Sequence, residues 1–128
     1  MLLNKILGHH IISELRDCNE KTLNDLGLLV QTMTEACKLG GAGVIGHIEN
    51  KFEPHGVTVL VLLSESHASI HTYPEYGYAA IDVFTCGDHV NSHVIVDYIH
   101  KSLGGNMKIK DFDRGIPNRE DSFGLINN

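Results

Sequence analysis

The hydrophobic positions of the chain follow two different periods. Two segments have apolar residues three and four positions apart, which is the spacing of one face of an α-helix. The first follows Asn19, a residue type that caps helix N-termini, and ends at Gly40-Gly41, while the second begins at Ser92 and ends at Gly104-Gly105. The spacing therefore predicts two helices, with apolar positions Leu23, Leu26, Val30, Met33 and Cys37 in the first and Ile95, Tyr98, Ile99 and Leu103 in the second.

Other segments are rich in aliphatic and β-branched residues and predict strands. The stretch 57–63 is apolar on both faces except at Thr58, so we expect it to lie in the middle of a sheet. A polar loop, 49–55, and a turn with proline and glycine, 73–77, separate neighbouring strands. After Arg114 we expect a poorly ordered tail. The predicted strands are residues 6–15, 42–48, 56–63, 68–72, 78–85 and 107–112.

The order of these elements, β-α-β-β-β-β-α-β, indicates an α+β fold. We expect a two-layer sandwich, in which an antiparallel sheet has both helices packed on one face. A chain of 128 residues fits a single domain, 1–128. The strands are apolar on both sides, so we expect the uncovered face of the sheet to pack on a second copy of the chain. The pattern thus predicts a homodimer that forms through the sheet.

Composition and charge disfavour several classes of partner. The net charge is −6, and no basic run is present, so nucleic acid would meet a field of the wrong sign. The apolar stretch at residues 1–8 is too short for a signal peptide, and no segment has the length of a membrane span, which predicts a cytoplasmic protein with no membrane partner. Three cysteines without a CxxC pair argue against a disulfide framework, and we expect Cys18 and Cys37 to be buried.

Candidate chemistry is concentrated in residues 64–72, SESHASIHT. His67 and His71 lie four apart, but HxxxH without a glutamate lacks the general base of the zinc proteases, and we assign no metal ligand. No GxSxG motif is present, and the adjacent Ser66 and His67 would point to opposite faces of a strand, which disfavours a hydrolase triad. The residue pattern alone favours a polar strand start over both alternatives.

A longer stretch that includes this segment resembles a family signature. Residues 65–88 read ESHASIHTYPEYGYAAIDVFTCGD. They resemble the signature of the small prokaryotic S-adenosylmethionine decarboxylases, which are pyruvoyl-dependent enzymes of polyamine synthesis. The match is continuous over these 24 residues, and weaker similarity extends from Leu7 to about Gly115.

The resemblance implies a proenzyme that cleaves itself between Glu65 and Ser66. The products would be a β chain, 1–65, and an α chain, 66–128. Ser66 would become a pyruvoyl group, whose ketone forms a Schiff base with the substrate amine and accepts the electrons released with CO2.

The resemblance also implies roles for three further side chains in this chemistry. His71 would supply or take a proton during self-cleavage, and the hydroxyl of Thr58, at a position where the family often has serine, would assist it. Cys86 would be the catalytic acid that returns a proton to the substrate α-carbon after decarboxylation.

Substrate binding is implied by the same resemblance. Phe52 would stack on the adenine and sulfonium of S-adenosylmethionine, and Glu75 would accept hydrogen bonds from the ribose hydroxyls. In the family dimer, Ser66 and Cys86 of one chain face Phe52, Thr58, His71 and Glu75 of the other. The product would be decarboxylated S-adenosylmethionine, the aminopropyl donor for spermidine.

The sequence departs from the family pattern beside the nucleoside pocket. This chain has Glu49-Asn50 where many members have a phenylalanine-histidine pair, and it has Gly56-Val57-Thr58-Val59 in place of the usual Gly-Val-Ser-Gly. A pyruvoyl-dependent decarboxylase of arginine or ornithine is therefore an alternative, as is a regulatory homologue that does not cleave itself.

Overall fold

The chain folds into one sheet covered by helices on one side. The structure is a computed structural model that describes residues 6–115 and 126–127. A short 3-10 turn, Pro74–Tyr76, joins two of the strands. The described strands are β1 (Gly8–Arg16), β2 (Val44–Lys51), β3 (Val57–Leu63), β4 (Ser66–Tyr73), β5 (Tyr78–Thr85), β6 (Asn106–Arg114) and β7 (Ile126–Asn127), and the helices are α1 (Glu20–Leu23), α2 (Leu26–Leu39) and α3 (Ser92–Leu103).

The sheet is antiparallel, with the strand order β2-β3-β4-β5-β1-β6-β7. Helices α2 and α3 pack against each other and on the same side of the sheet. The apolar side chains of this layer are fully buried, as Leu29 and Met33 of α2, Ile95 and Ile99 of α3 and Ile70 of β4 illustrate. The predicted α+β sandwich is confirmed.

The first predicted helix is in fact two helices. Asn19 caps α1 as expected, but the backbone leaves the helical path at Asn24, and Asp25 caps α2 by accepting a hydrogen bond from the Leu28 N–H. The apolar spacing continues across this break because Leu23 and Leu29 both reach the same core. Periodicity therefore located the buried face and missed the interruption.

The loop predicted at 49–55 begins later than expected. Glu49, Asn50 and Lys51 continue β2 and pair with Val59, Thr58 and Val57. Since β2 is an edge strand with exposed positions, polar side chains are compatible with its pairing.

The tail prediction mostly falls on residues 116–125 and 128, which lie outside the described residues. Ile126–Asn127 pairs with β6. No helix in the described part of the chain is long and apolar enough to cross a membrane.

Within the described residues, no element covers the sheet face opposite the helices, which carries exposed apolar side chains on β2 and β3 beside exposed polar ones on β4. The register brings Leu60 beside Ile48 and Leu62 beside His67, and all four side chains point away from the core. Ile48, Leu60 and Leu62 are exposed, at 68%, 44% and 55%. We call this surface the open face.

Candidate active site

The candidate cleavage position lies in the tight hairpin between β3 and β4. Leu63 pairs with Ser66, so only Ser64 and Glu65 form the turn. Ser66 has a φ of 148°, in a region that residues with a side chain rarely adopt. Such a conformation costs on the order of 1–3 kcal/mol and persists only where the surrounding structure enforces it. The backbone is therefore strained directly after the Glu65 carbonyl.

Cys86 donates two hydrogen bonds to the carbonyl oxygen of Glu65. The Cys86 N–H donates to this oxygen at 3.0 Å, and the Cys86 S–H donates to it at 2.9 Å. Two donors at such distances are the arrangement by which enzymes stabilise a carbonyl oxygen that gains negative charge. We call Glu65, Ser66 and Cys86 the cleavage end.

The side chain of Glu65 fixes the same turn. Its carboxylate accepts the Gly43 N–H at 3.0 Å and lies 2.6 Å from His89 Nε2, and only 13% of the side chain is exposed. The hydrogen bond with His89, followed by that from Gly43, lowers the pKa of Glu65. Gly43 and His89 were not among the residues predicted from the sequence, and neither belongs to a local motif that would have marked it.

Ser66 and His67 do not diverge as the strand argument predicted. Ser66 Oγ lies 3.4 Å from His67 Nδ1, and His67 Nε2 lies 3.6 Å from Asp82 Oδ1. The expectation was wrong because Ser66 does not have an ordinary extended backbone. Both separations are nevertheless longer than a well-formed serine–histidine–aspartate relay requires.

The other predicted site residues line a separate cleft of about 360 Å³. Thr58 Oγ1 and His71 Nδ1 are hydrogen-bonded at 2.9 Å on the open face. Phe52 and Glu75 line the same cleft, and the Phe52 ring is 48% exposed. We call Phe52, Thr58, His71 and Glu75 the binding end.

Local backbone geometry places Glu75 at this cleft. Pro74 starts the 3-10 turn, and Gly77 ends it with a φ of 60°, a conformation that glycine adopts without strain. The Gly77 N–H donates to the Pro74 carbonyl at 3.0 Å. The turn thereby brings the Glu75 carboxylate within 3.2 Å of His55 Nε2.

The cleavage end and the binding end lie far apart within one chain. Ser66 and His71 are the first and sixth residues of β4, which at the rise of an extended strand separates their backbones by roughly 16 Å. The structure thus brings the seven predicted residues together in two groups, and one chain alone does not unite them.

Known proteins similar to this chain agree on one family. Residues 9–115 match the family model described as S-adenosylmethionine decarboxylase. The S-adenosylmethionine decarboxylase proenzyme of Prochlorococcus marinus is 48% identical over 113 residues, 88% of this chain and 90% of the relative. The proenzyme of the same name from Methanococcus maripaludis is 47% identical over 113 residues, 88% of this chain and 93% of the relative. The crystal structure of the adenosylmethionine decarboxylase from Aquifex aeolicus VF5 superposes with a TM-score of 0.84 and 35% identity, covering 91% of this chain and 98% of that one.

Proposed function

This chain belongs to the S-adenosylmethionine decarboxylase family, and we propose that it is a proenzyme that cleaves itself between Glu65 and Ser66 and then decarboxylates S-adenosylmethionine. The observation that carries the proposal is the pair of Cys86 donors on the Glu65 carbonyl, next to the strained backbone of Ser66. The product would be decarboxylated S-adenosylmethionine, the aminopropyl donor for spermidine. A cytoplasmic location stays a prediction from the sequence.

Self-cleavage requires attack of the Ser66 hydroxyl on the Glu65 carbonyl carbon. The Cys86 N–H and S–H polarise this carbonyl and stabilise the negative charge that develops on its oxygen. The C–N bond then breaks as the C–O bond forms, which gives an ester. Loss of the Ser66 α-proton and departure of Glu65 as a carboxylate leave dehydroalanine, and its hydrolysis releases ammonia and leaves a pyruvoyl group. Cleavage also relieves the strain at Ser66.

The residues around Ser66 fit such a group. A pyruvoyl group supplies an electrophilic ketone that accepts the electrons released as CO2 leaves. Cys86 lies on the neighbouring strand end, because Ser66 pairs with Thr85. Its thiol is exposed and can return a proton to the substrate after CO2 has left.

The binding end supplies the contacts that a nucleoside needs. The exposed Phe52 ring offers a surface for adenine and the sulfonium, and the Glu75 carboxylate accepts hydrogen bonds from hydroxyl groups. The hydrogen-bonded pair of Thr58 and His71 is the candidate for proton transfer during self-cleavage.

We further propose a homodimer in which the open faces of two chains pack together. In this arrangement the cleavage end of one protomer meets the binding end of its partner. The separation of the two ends along β4 and the exposed Ile48, Leu60 and Leu62 support it.

The mass of the denatured protein tests the self-cleavage. We expect two fragments that divide between Glu65 and Ser66, the second of which begins with a pyruvoyl group and resists Edman degradation. A single chain of 14.1 kDa after long incubation would contradict the proposal and favour the regulatory homologue.

The substrate needs a separate assay on the cleaved protein. Release of CO2 should be fastest from S-adenosylmethionine when it is compared with arginine and ornithine at equal concentrations. Faster release from arginine or ornithine would leave the proposed self-cleavage unaffected and overturn S-adenosylmethionine as the substrate. It would indicate that the unusual Glu49-Asn50 changes the substrate preference.

A further inference from the structure

Three potential metal ligands converge on the helix side of the sheet. His9 lies on β1, Asp111 lies on the adjacent β6, and His93 lies in the first turn of α3. Each offers one ligand atom, and these atoms all lie within 4.8 Å of one another. The three residues are distant in the sequence, so no local sequence motif contains them.

The Asp111 carboxylate stands between the two imidazoles. Its Oδ2 lies 3.2 Å from His93 Nε2, and its Oδ1 lies 4.0 Å from His9 Nε2. The side chain of Asp111 is only 16% exposed, whereas that of His93 is 56% exposed. The carboxylate is thus fixed by its surroundings, and His93 has room to adjust.

Asp113 orients His9 from the other side. Its Oδ1 lies 3.2 Å from His9 Nδ1. A neutral His9 that donates from Nδ1 to Asp113 presents the lone pair of its Nε2 to Asp111. A cation that lies between this nitrogen and the Asp111 carboxylate would attract both. A carboxylate behind the distal nitrogen is the usual support of a metal-binding histidine.

We propose that His9 Nε2, His93 Nε2 and the Asp111 carboxylate bind one divalent transition metal ion, with Asp113 as the positioning residue for His9. Two imidazoles and one carboxylate suit Zn2+, Co2+ or Ni2+, whereas Mg2+ and Ca2+ prefer oxygen ligands. Tetrahedral bonds of about 2.0–2.1 Å place neighbouring ligand atoms about 3.3 Å apart. The 3.2 Å separation fits this value, and the other separations, 4.0 Å and up to 4.8 Å, would shorten by up to about 1.5 Å as His93 and His9 move onto the ion. The metal would join β1, β6 and α3.

Zn2+ binding to the untagged full chain tests the proposal, measured by calorimetry and by metal analysis after dialysis. We expect one ion per chain and at least tenfold weaker binding in His93→Asn and in Asp111→Asn. Asp113→Asn should weaken binding about 10- to 100-fold through loss of the support for His9. Co2+ should give the visible absorption of a tetrahedral site in the wild type and lose it in His93→Asn.

Two controls separate this site from other zinc-binding groups. His47→Asn removes a histidine that also pairs with a single carboxylate, Glu49, at 2.7 Å, and should leave Zn2+ affinity unchanged. Cys86→Ser should also retain Zn2+, because the thiol is not a ligand. Absence of stoichiometric Zn2+ in the wild type would mean that His9, His93 and Asp111 only form ion pairs with one another, and it would overturn the proposal. So would unchanged binding in His93→Asn and Asp111→Asn, or loss of binding in Cys86→Ser.

Discussion

The cleavage end and the binding end differ in how tightly the chain holds them. At the cleavage end, the Glu65 carbonyl has two donors, and its carboxylate also has partners, among them Gly43 and His89. At the binding end, Phe52 is half exposed and His71 is exposed. Contacts within one protomer therefore hold the Glu65 carbonyl in place, whereas the groups that would transfer the proton and bind substrate are left open to an outside surface.

The proposed dimer accounts for this difference. The cleavage end and the binding end lie toward opposite termini of β4. A two-fold axis through the open face would therefore bring the cleavage end of each protomer to the binding end of the other and form two sites per dimer. Strain and hydrogen bonding would prepare the Glu65 carbonyl before assembly, and the partner would complete the site.

The largest effect is expected from Ser66→Ala. The variant lacks the hydroxyl that would attack Glu65, so it should remain a single chain in a mass spectrum and release no CO2 from S-adenosylmethionine. Ser64→Ala removes the other serine of the same hairpin and should still be cleaved. Cleavage of Ser66→Ala at the normal position would show that another group performs the attack.

A charge on the open face should separate the protomers. Leu62→Lys places an ammonium group where the dimer would exclude water, which is costly without a partner. We expect monomers by sedimentation and at least tenfold lower decarboxylase activity. Leu39→Lys alters a leucine of comparable exposure (63%) at the end of α2 and should leave both the dimer and the activity unchanged. A dimeric, active Leu62→Lys protein would contradict the proposed interface.

Removal of the Phe52 ring should weaken substrate binding. Stacking on an aromatic side chain contributes about 1–3 kcal/mol per base, which corresponds to roughly a 5- to 150-fold increase in KM. We expect Phe52→Ala to raise KM more than it lowers kcat, and Phe52→Tyr to restore KM. Tyr76→Ala removes an exposed ring (77%) of the nearby turn as a control. An unchanged KM in Phe52→Ala would place the adenine elsewhere.

The smallest expected effect is a dependence of stability on pH. The lowered pKa of Glu65 means that its carboxylate stabilises the fold above the ordinary carboxyl range, about pH 4–5, and that this contribution is lost as the pH falls through the lowered value. In the Ser66→Ala background, Glu65→Gln should therefore lower Tm at pH 7 and have progressively less effect below about pH 4. A Tm difference that grows as the pH falls below about 4 would contradict this assignment.

The sequence predicted the local features of this molecule better than its long-range contacts. Apolar spacing found the two main helices and the positions of β1 to β6 along the chain, because the residue types themselves show which face of an element is buried. The helix break at Asn24 and the extension of β2 through Lys51 were missed, since caps and edge pairing depend on neighbours in space. The family resemblance named the seven candidate residues of both ends, with Phe52 and Thr58 outside the 24-residue signature, but only the structure showed the contact of Cys86 with the Glu65 carbonyl.

Complementation between two inactive variants tests the shared site most directly. Cys86→Ala disables the cleavage end and Glu75→Ala the binding end, so a mixed dimer has one site built from two intact ends. When the two variants are coexpressed and pair at random, half of the dimers are mixed and each has one intact site of two. We therefore expect decarboxylase activity to recover to about a quarter of the wild-type value, while each variant alone stays inactive. No recovery, in a sample whose Glu75→Ala chains are cleaved and whose two variants are shown by mass spectrometry to form mixed dimers, would contradict the shared site.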